Sequence, residues 1–574
     1  MSRRSGSVLV LLVGIGSVAS CGHSSSSTTL SDGGTDQNDG GGSGSVGGSG
    51  GGAQDSGTTS QAAEAGPPPA PTCTSPVGPV DTTTSTATVG QGTAASCTQT
   101  ALATAIAGGG IVTFDCGGAA TIAVTAELAV PTDRDTVIDG SGVITLDGGH
   151  ATRLLNFDSG DYRGMYGGAQ HTLTVQNITL QNAKASGTMM FPAASPPCSQ
   201  GYQDGAGGAI LMTSGILHVV GVTFLDDQAA DIGPDVAGGA IYTSGSVDTT
   251  IVGSRFAGNS ASNGGAVGSI NSDVTLVNDT FTQNQALGQG GNSTNATCPV
   301  VGGQRETGSG GNGGAVSIDG GDDGTDTLCG CTFSANSAHA LAGAIFRTPD
   351  GAMQTTNIDR TTFDGNTCFG TYDNAATGAA GAIYFHNSHI VMTSSTVSNN
   401  SAPSFGGFFS DGTILDATNC TFANNTATTG VGGAIASMGS LTNCTLSDNQ
   451  AHGTDYAAFA AALFGGPWTI ANTIFDGDTD DDSSGNETCF PSSTANTGTH
   501  DLQWPMGSTD SPCAPGITFT DAMLGPLANH GGPTDTVVPG AAAAVIQTGT
   551  SCPPTDQTGK TRANPCTLGA VEVP

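Results

Sequence analysis

A unit of about two dozen residues recurs along this chain, and that repeat limits its fold more than any other feature. Gly238 to Ala261 reads GGAIYTSGSVDTTIVGSRFAGNSA, and Gly264 to Ala286 reads GGAVGSINSDVTLVNDTFTQNQA. Gly313 to Ala338 reads GGAVSIDGGDDGTDTLCGCTFSANSA, and Gly432 to Ala451 reads GGAIASMGSLTNCTLSDNQA. Each unit opens on two glycines, an alanine and an aliphatic residue. Each closes on Phe or Leu, with Asn three places further on and then a small residue. A unit this short cannot bury its own apolar face, so it must stack on copies of itself, and the chain is a solenoid.

Composition selects the kind of solenoid. Of 574 residues 91 are Gly, and the sequence has only two Lys and five Glu, so nearly all its acid is Asp. Asp, Asn and Gly favour turns, and Glu and Lys favour helices, so strands joined by many turns are expected. From Ile111 the apolar period is two: Ile111 to Phe114, Ile122 to Val124, Ile144 to Leu146, Leu173 to Val175 and Ile178 to Leu180. Asp139-Gly140 and Asp147-Gly148-Gly149 mark turns between them. The fold class is therefore all-β, a parallel β-helix over residues 111–480 of roughly a dozen coils, with strands stacked about 4.8 Å apart. Residues 73–110 form an N-terminal cap. In it CTQTALATAIA, residues 97–107, places Leu102, Ala105 and Ile106 at helical spacing before Gly108-Gly109-Gly110 ends the helix.

In a stack, equivalent residues form ladders. One is aromatic: Phe224, Phe256, Phe281, Phe333, Phe363 and Phe422, with Val397 and Leu446 in the same place. The other is Asn259, Asn284, Asn336, Asn366, Asn400, Asn425 and Asn449, headed by Asp227. Both ladders are expected to point inward, and a buried Asn at a corner bonds its own turn and its neighbours. The Gly-Gly step suits a corner where backbone meets backbone. Insertions near 183–206, 287–312 and 367–380 each leave after the Asn corner, so all three are expected on one edge, as a candidate contact surface.

The N-terminal residues read as export and anchorage. Arg3 and Arg4 precede Val8 to Val18, an apolar stretch too short to span a bilayer. Val18-Ala19-Ser20-Cys21 resembles the bacterial lipoprotein cleavage motif, which implies a signal peptide at 1–20 and lipidation of Cys21. Residue 22 is Gly, not the Asp that retains many such lipoproteins at the inner membrane, so an outer membrane or cell surface is expected. Residues 21–72 are a Gly/Ser/Pro tether with nothing to build a core from. Removing Cys21 from 15 cysteines leaves an even number in an exported chain, where disulfides persist. Cys97 with Cys116, Cys489 with Cys513 and Cys552 with Cys566 are candidate pairs. Cys420 and Cys444 stack in neighbouring coils, bridged or merely laddered, and Cys329 and Cys331 share one face if they lie in a strand.

GGA[I/V] followed by FxxN resembles the repeat of chlamydial polymorphic outer-membrane proteins over about residues 205–455, which implies a right-handed β-helix of the pectate-lyase-like class. Ala471 to Ile474, Leu524-Gly525-Pro526-Leu527, Gly531 to Thr534, Asp556-Gln557 and Leu568 to Glu572 resemble the choice-of-anchor module that ends many bacterial surface β-helices, here at 481–574. Neither resemblance implies a settled activity.

Net charge is −35, which excludes nucleic acid as a partner and disfavours anionic lipid heads and acidic polysaccharides. The pectate-lyase-like class also holds polysaccharide lyases and hydrolases, which need carboxylates converging with a base or cation. Asp226, Asp227 and Asp231 near Arg255 are candidates, as are Arg347, Arg360, His386 and His389, but no set falls at ladder-equivalent positions, and no catalytic residue is assigned. Asp476, Asp478, Asp480 and Glu487 take positions 1, 3, 5 and 12 of a calcium loop, with Asp481 where that loop needs Gly. Calcium is the only cofactor the sequence suggests. The function expected is non-catalytic: a lipid-anchored surface protein for adhesion, glycan or cell-surface binding, or envelope structure. A polysaccharide-active enzyme is the alternative.

Overall fold

The structure, a computed structural model, describes residues 73–159, 171–187, 205–233, 236–288, 300–301, 304–305, 310–320, 324–349, 353–370, 378–453, 459–481, 487–491, 496–506 and 510–573. The signal segment, Cys21 and the tether lie outside the described residues.

The repeat beginning at Gly238 shows how one unit becomes one coil. Its strands are Ile241–Ser244, Asp248–Val252, Arg255–Ala257 and Ser260–Ala261. Each pairs in parallel with its counterpart in the next coil: Ile241 with Val267, Thr249 with Val274, Phe256 with Phe281, Ala261 with Ala286. Pairing between copies rather than within a unit is the stacking that the repeat requires, and the result is a parallel β-helix. First and second strands build one 23-stranded sheet, third strands a 14-stranded sheet and fourth strands an 8-stranded sheet. In Phe408–Thr418 the first two strands run together as one.

The stack is longer than the expected span at both ends. Ala87–Val89 already pairs with Gly110–Phe114, inside the segment read as a cap. Thr497–Thr499, Leu502–Trp504 and Thr518–Phe519 continue the sheets past residue 480. These strands are short and lack the Phe-Asn signature, so the backbone ladder goes on where the side-chain pattern stops. The cap helix, Gln99–Gly108, buries Leu102, Ala105 and Ile106 and is capped by the Thr98 hydroxyl accepting from the Ala101 N–H. A disulfide joins Cys97 to Cys116.

Both ladders line the interior. Rings of Phe224, Phe256, Phe281, Phe333 and Phe363 stack with centroids 4.6, 4.7, 4.7 and 4.9 Å apart, the spacing that strand pairing imposes. Val397, Phe422, Leu446 and Phe475 continue the row in register. Fully burying each such ring contributes about 1.5–3 kcal/mol. From Asn284 on, each ladder Asn accepts, at Oδ1, the backbone N–H and side-chain amide of the Asn one coil earlier. Asn284 receives both from Asn259 at 3.1 and 2.9 Å, and Asn336 receives both from Asn284 at 3.0 and 2.9 Å. The amide also reaches back to the Phe carbonyl of the preceding coil, 3.1 Å from Asn284 to Phe256.

The glycine corner splits into two requirements. Its first residue has positive φ, 70° at Gly238 and 65° at Gly313, yet Ala342, Ala380 and Phe405 adopt the same conformation. Its second residue sits against the next coil: a Cβ on Gly239 would lie 2.3 Å from the Gly265 carbonyl oxygen. Close approach favours glycine at the second place, which Ala461 nonetheless fills in a late coil, and φ favours it at the first.

The cysteine pattern needs one correction. Gly330, at φ 69°, turns the chain between Cys329 and Cys331, so they do not share a face. Cys331 is buried and free, and Cys329 bonds Cys73, a pairing across 256 residues that the sequence did not signal. Cys420 and Cys444 are free, buried and laddered, with Sγ donating to the Thr418 and Ala417 carbonyls at 3.3 and 3.5 Å. Cys489–Cys513 and Cys552–Cys566 are bonded.

Candidate functional site on the outer face of the long sheet

The structure disperses most of the residues that carry candidate chemistry. Asp226 and Asp227 are adjacent but oppositely directed. Asp226 stands exposed at a positive-φ corner, whereas Asp227 is buried in the Asn ladder, accepts the Ala183 N–H at 2.9 Å, and has its carboxyl pushed well up by that burial. Asp231 is exposed and Arg255 half-buried, with no ion pair joining them among the described residues. Arg360 occupies a corner and pairs with its neighbour Asp359 at 2.7 Å.

Arg347, a candidate for catalysis, faces the interior and not solvent. It follows Ile345 by two places on an inward-facing strand, so its side chain enters the lumen. Arg347 and Asp326 are each 1% exposed and 2.7 Å apart. The guanidinium also donates to the Gly320 carbonyl at 2.9 Å and to Gln354, while Asp326 accepts the Val274 N–H at 3.0 Å. No substrate reaches this pair.

The calcium spacing does not gather its acids. Asp476 accepts the Ala522 N–H at 3.0 Å. Asp478 takes the next place in the Asn ladder and accepts from Asn449 N and Nδ2 at 2.9 and 2.8 Å. Asp480 accepts the Glu487 N–H at 2.7 Å. Strand alternation and the ladder set these directions, and residues 482–486 lie outside the described residues. Among the described residues, the one close group of three candidate ligands is Cys73, Cys329 and Asp359. Its two sulfurs are joined to each other, so no thiolate is left for a metal.

The two histidines lead to a different place. Outward residues of successive first strands form rows along the long sheet. One row is aromatic: Phe346, Tyr384 and Phe409 pair in register, with ring centroids 5.3 and 5.2 Å apart. Leu341, Ala342, Ala380 and Phe405, from the segments that lead into the first strands, pack over these rings. Two residues further along the same strands lies a polar row of Thr348, His386 and Asp411, in which His386 pairs with Asp411. Here three buried atoms, Thr348 Oγ1, Tyr384 Oη and His386 Nδ1, have no hydrogen-bond partner among the described residues. Thr348 is 2% and Tyr384 0% exposed. His386 Nδ1 lies 3.7 Å from Asp411 Oδ2, beyond hydrogen-bonding distance. Burial, then the Asp411 charge, hold the Tyr384 phenol above its ordinary range, so it stays a neutral donor.

Beside this row, His389 Nε2 lies 2.9 Å from Asp416 Oδ2, and Ser440 donates to Asp416 Oδ1 at 2.6 Å. The order of contacts decides what this trio can do. A nucleophilic serine bonds the imidazole, and the carboxylate sits behind it. Here the hydroxyl bonds the carboxylate, so the imidazole is not placed to activate it. The accessible part of the patch offers imidazole and carboxylate groups and the half-buried Ser440 hydroxyl, with no Lys or Arg in it among the described residues.

Sequence reasoning singled out His386 and His389 but missed Thr348 and Tyr384. A signal was present: AIF, AIY and GFF at 344–346, 382–384 and 407–409 put an aromatic just after the inward residue, and period two directs it outward. No family model matches the chain, and no curated protein matches it.

Proposed function

We propose that this chain is a non-catalytic display protein, exported and lipid-anchored at Cys21 on the bacterial outer membrane or cell surface. Its β-helix, carried on the 21–72 tether, binds neutral glycan on a cell surface or envelope through the outer face of the long sheet. The observation that carries the binding reading is the run of accessible imidazole and carboxylate side chains, His386, Asp411, His389 and Asp416, 21–43% exposed beside a buried aromatic row.

Three further features support the reading. Disulfides suit an exported, oxidising setting. The acidic body repels acidic polymers and leaves neutral sugars as the compatible class. Two of the insertions have described ends that leave after a fourth strand, at Leu287 and Phe369. The chain re-enters at the glycine corners that lead into the first strands, on the side of the aromatic row.

The test is a neutral and acidic glycan array with the soluble body, residues 73–574, beside a reducing-end assay. Saturable binding to a neutral glycan is expected, lost at least tenfold in His386→Ala/Asp411→Asn with thermal unfolding unchanged. New reducing ends, abolished by an Asp variant, would replace this reading with the polysaccharide-active enzyme.

A further inference from the structure

Residues 73–85 do not enter the stack. They run back along its outside, past the edge where the long sheet turns into the 14-stranded sheet. Thr82 Oγ1 donates to Asp139 Oδ2 at 2.7 Å near the first coil. Higher up, Val80 N donates to Gln176 Oε1 at 2.8 Å, and Gln176 Nε2 donates to the Val80 carbonyl at 3.0 Å. Higher still, Cys73 N donates to Asn278 Oδ1 at 3.0 Å and its carbonyl accepts from Asn278 Nδ2 at 2.8 Å. Cys73 then bonds Cys329, in the coil whose third strand, Thr332–Ser334, is seventh of fourteen in its sheet.

We infer that the Cys73–Cys329 disulfide is a rivet that makes the seventh coil, not the first, the place where the chain N-terminal to Cys73 bears on the body. The geometry without it is weak under load. The strap is held at three separate points by one or two partly buried hydrogen bonds each, and by Val77 packing near Val252 and Val277. A pull from the seventh-coil end loads them one after another, as in unzipping, and each breaks alone. Once they have gone, the load falls on Ala87–Val89 and the cap helix. Losing those would open the end of the stack, and in a solenoid a lost terminal coil exposes the next. With the disulfide closed, the pull enters a covalent bond at the end of a strand paired on both sides. Residues 74–328 then form a closed loop that carries no tension.

The C-terminal residues hold the same edge two coils further on. Thr534 Oγ1 donates to the Ser394 carbonyl at 3.1 Å and Thr396 Oγ1 donates to the Asp535 carbonyl at 2.6 Å, at the ninth coil. Opening the rivet takes a dithiol. Its two electrons reduce the Sγ–Sγ bond to two thiols, and the dithiol leaves as a disulfide.

This inference rests on the display reading only in that something pulls on the N-terminal side, and its test needs neither lipid nor glycan. Single molecules of the full chain are pulled between handles at the two termini, native against Cys73→Ser/Cys329→Ser. The double variant is expected to rupture first at lower force. It should extend further by the freed loop of 256 residues, about 900 Å at full extension, less any smaller loops that other disulfides keep closed inside it. If the variant does not fold, native molecules are pulled before and after dithiothreitol, with the same lengthening expected. Equal extension and equal first-rupture force, in either comparison, would overturn the inference. A blank glycan array with the lengthening present would overturn the display reading alone.

Discussion

At the residue scale, the lumen of this β-helix is less apolar than its ladders suggest. Arg347 and Asp326 sit in it as an ion pair, satisfied by Gln354, the Gly320 carbonyl and the Val274 N–H. Removing one partner of such a pair strands the other charge in a low-dielectric interior, at about 3–5 kcal/mol, whereas replacing both together is far milder. Arg347→Met is therefore expected to lower the guanidinium unfolding midpoint sharply, and Arg347→Met/Asp326→Asn to recover most of the loss. A single variant within about 0.5 kcal/mol of the native protein would show that the pair contributes nothing.

At the scale of the element, the corner ladder explains why it ends in acid. A neutral Asp has the shape of Asn, with a hydroxyl in place of the amide. Asp478 takes the place after Asn449, where burial, more than the charges of Asp448 and Asp476, pushes its carboxyl up to about 8. Asp501 holds the equivalent of a Ser, Thr or Cys corner, and burial raises it to about 7; Asp476 rises to about 6. A carboxyl raised on folding binds its proton more tightly in the folded state. The stability it contributes is full below the ordinary value of 3.8 and is lost as pH rises through the raised values. The last coils are thus expected to weaken between about pH 4 and pH 8. Asp478→Asn should flatten that decline and stabilise the protein at pH 9 by about 1–3 kcal/mol in denaturant titrations. An unchanged pH slope in the variant would refute the assignment.

At the scale of the molecule, residues 520–573 cover an edge of the last coils. Ala522, Ala543, Val545 and Leu568 close over Ile474 and Leu502. Asn419 donates to the Thr555 carbonyl at 2.9 Å, Arg562 donates to Asn419 Oδ1 at 2.7 Å, and Gln557 donates to Thr396 Oγ1 at 2.8 Å. Coils of a solenoid couple to their neighbours, so losing the cover acts locally. Deleting residues 520–573 should speed amide hydrogen exchange over 394–504 at least tenfold and leave 111–280 unchanged. Uniform acceleration along the chain would mean that the stack melts as one unit.

The repeat by itself determined the parallel stack, the inward Phe and Asn ladders and the glycine corner, because each follows from placing identical residues one above another. Local spacing likewise located the cap helix and the pairs Cys97–Cys116, Cys489–Cys513 and Cys552–Cys566. Only the tertiary structure decided what depends on residues far apart in sequence. Cys73 meets Cys329 because the N-terminal strap climbs the stack, and no periodicity encodes a segment outside the repeat. Arg347 enters the lumen because one inward place, filled in other coils by Thr243, Ser269 or Phe385, is given to a cation whose acid lies 21 residues away. Thr348, Tyr384, His386 and Asp411 form one patch because strand pairing sets three coils side by side. A calcium-like spacing ends as three unrelated contacts because Asp478 obeys the ladder and its neighbours do not.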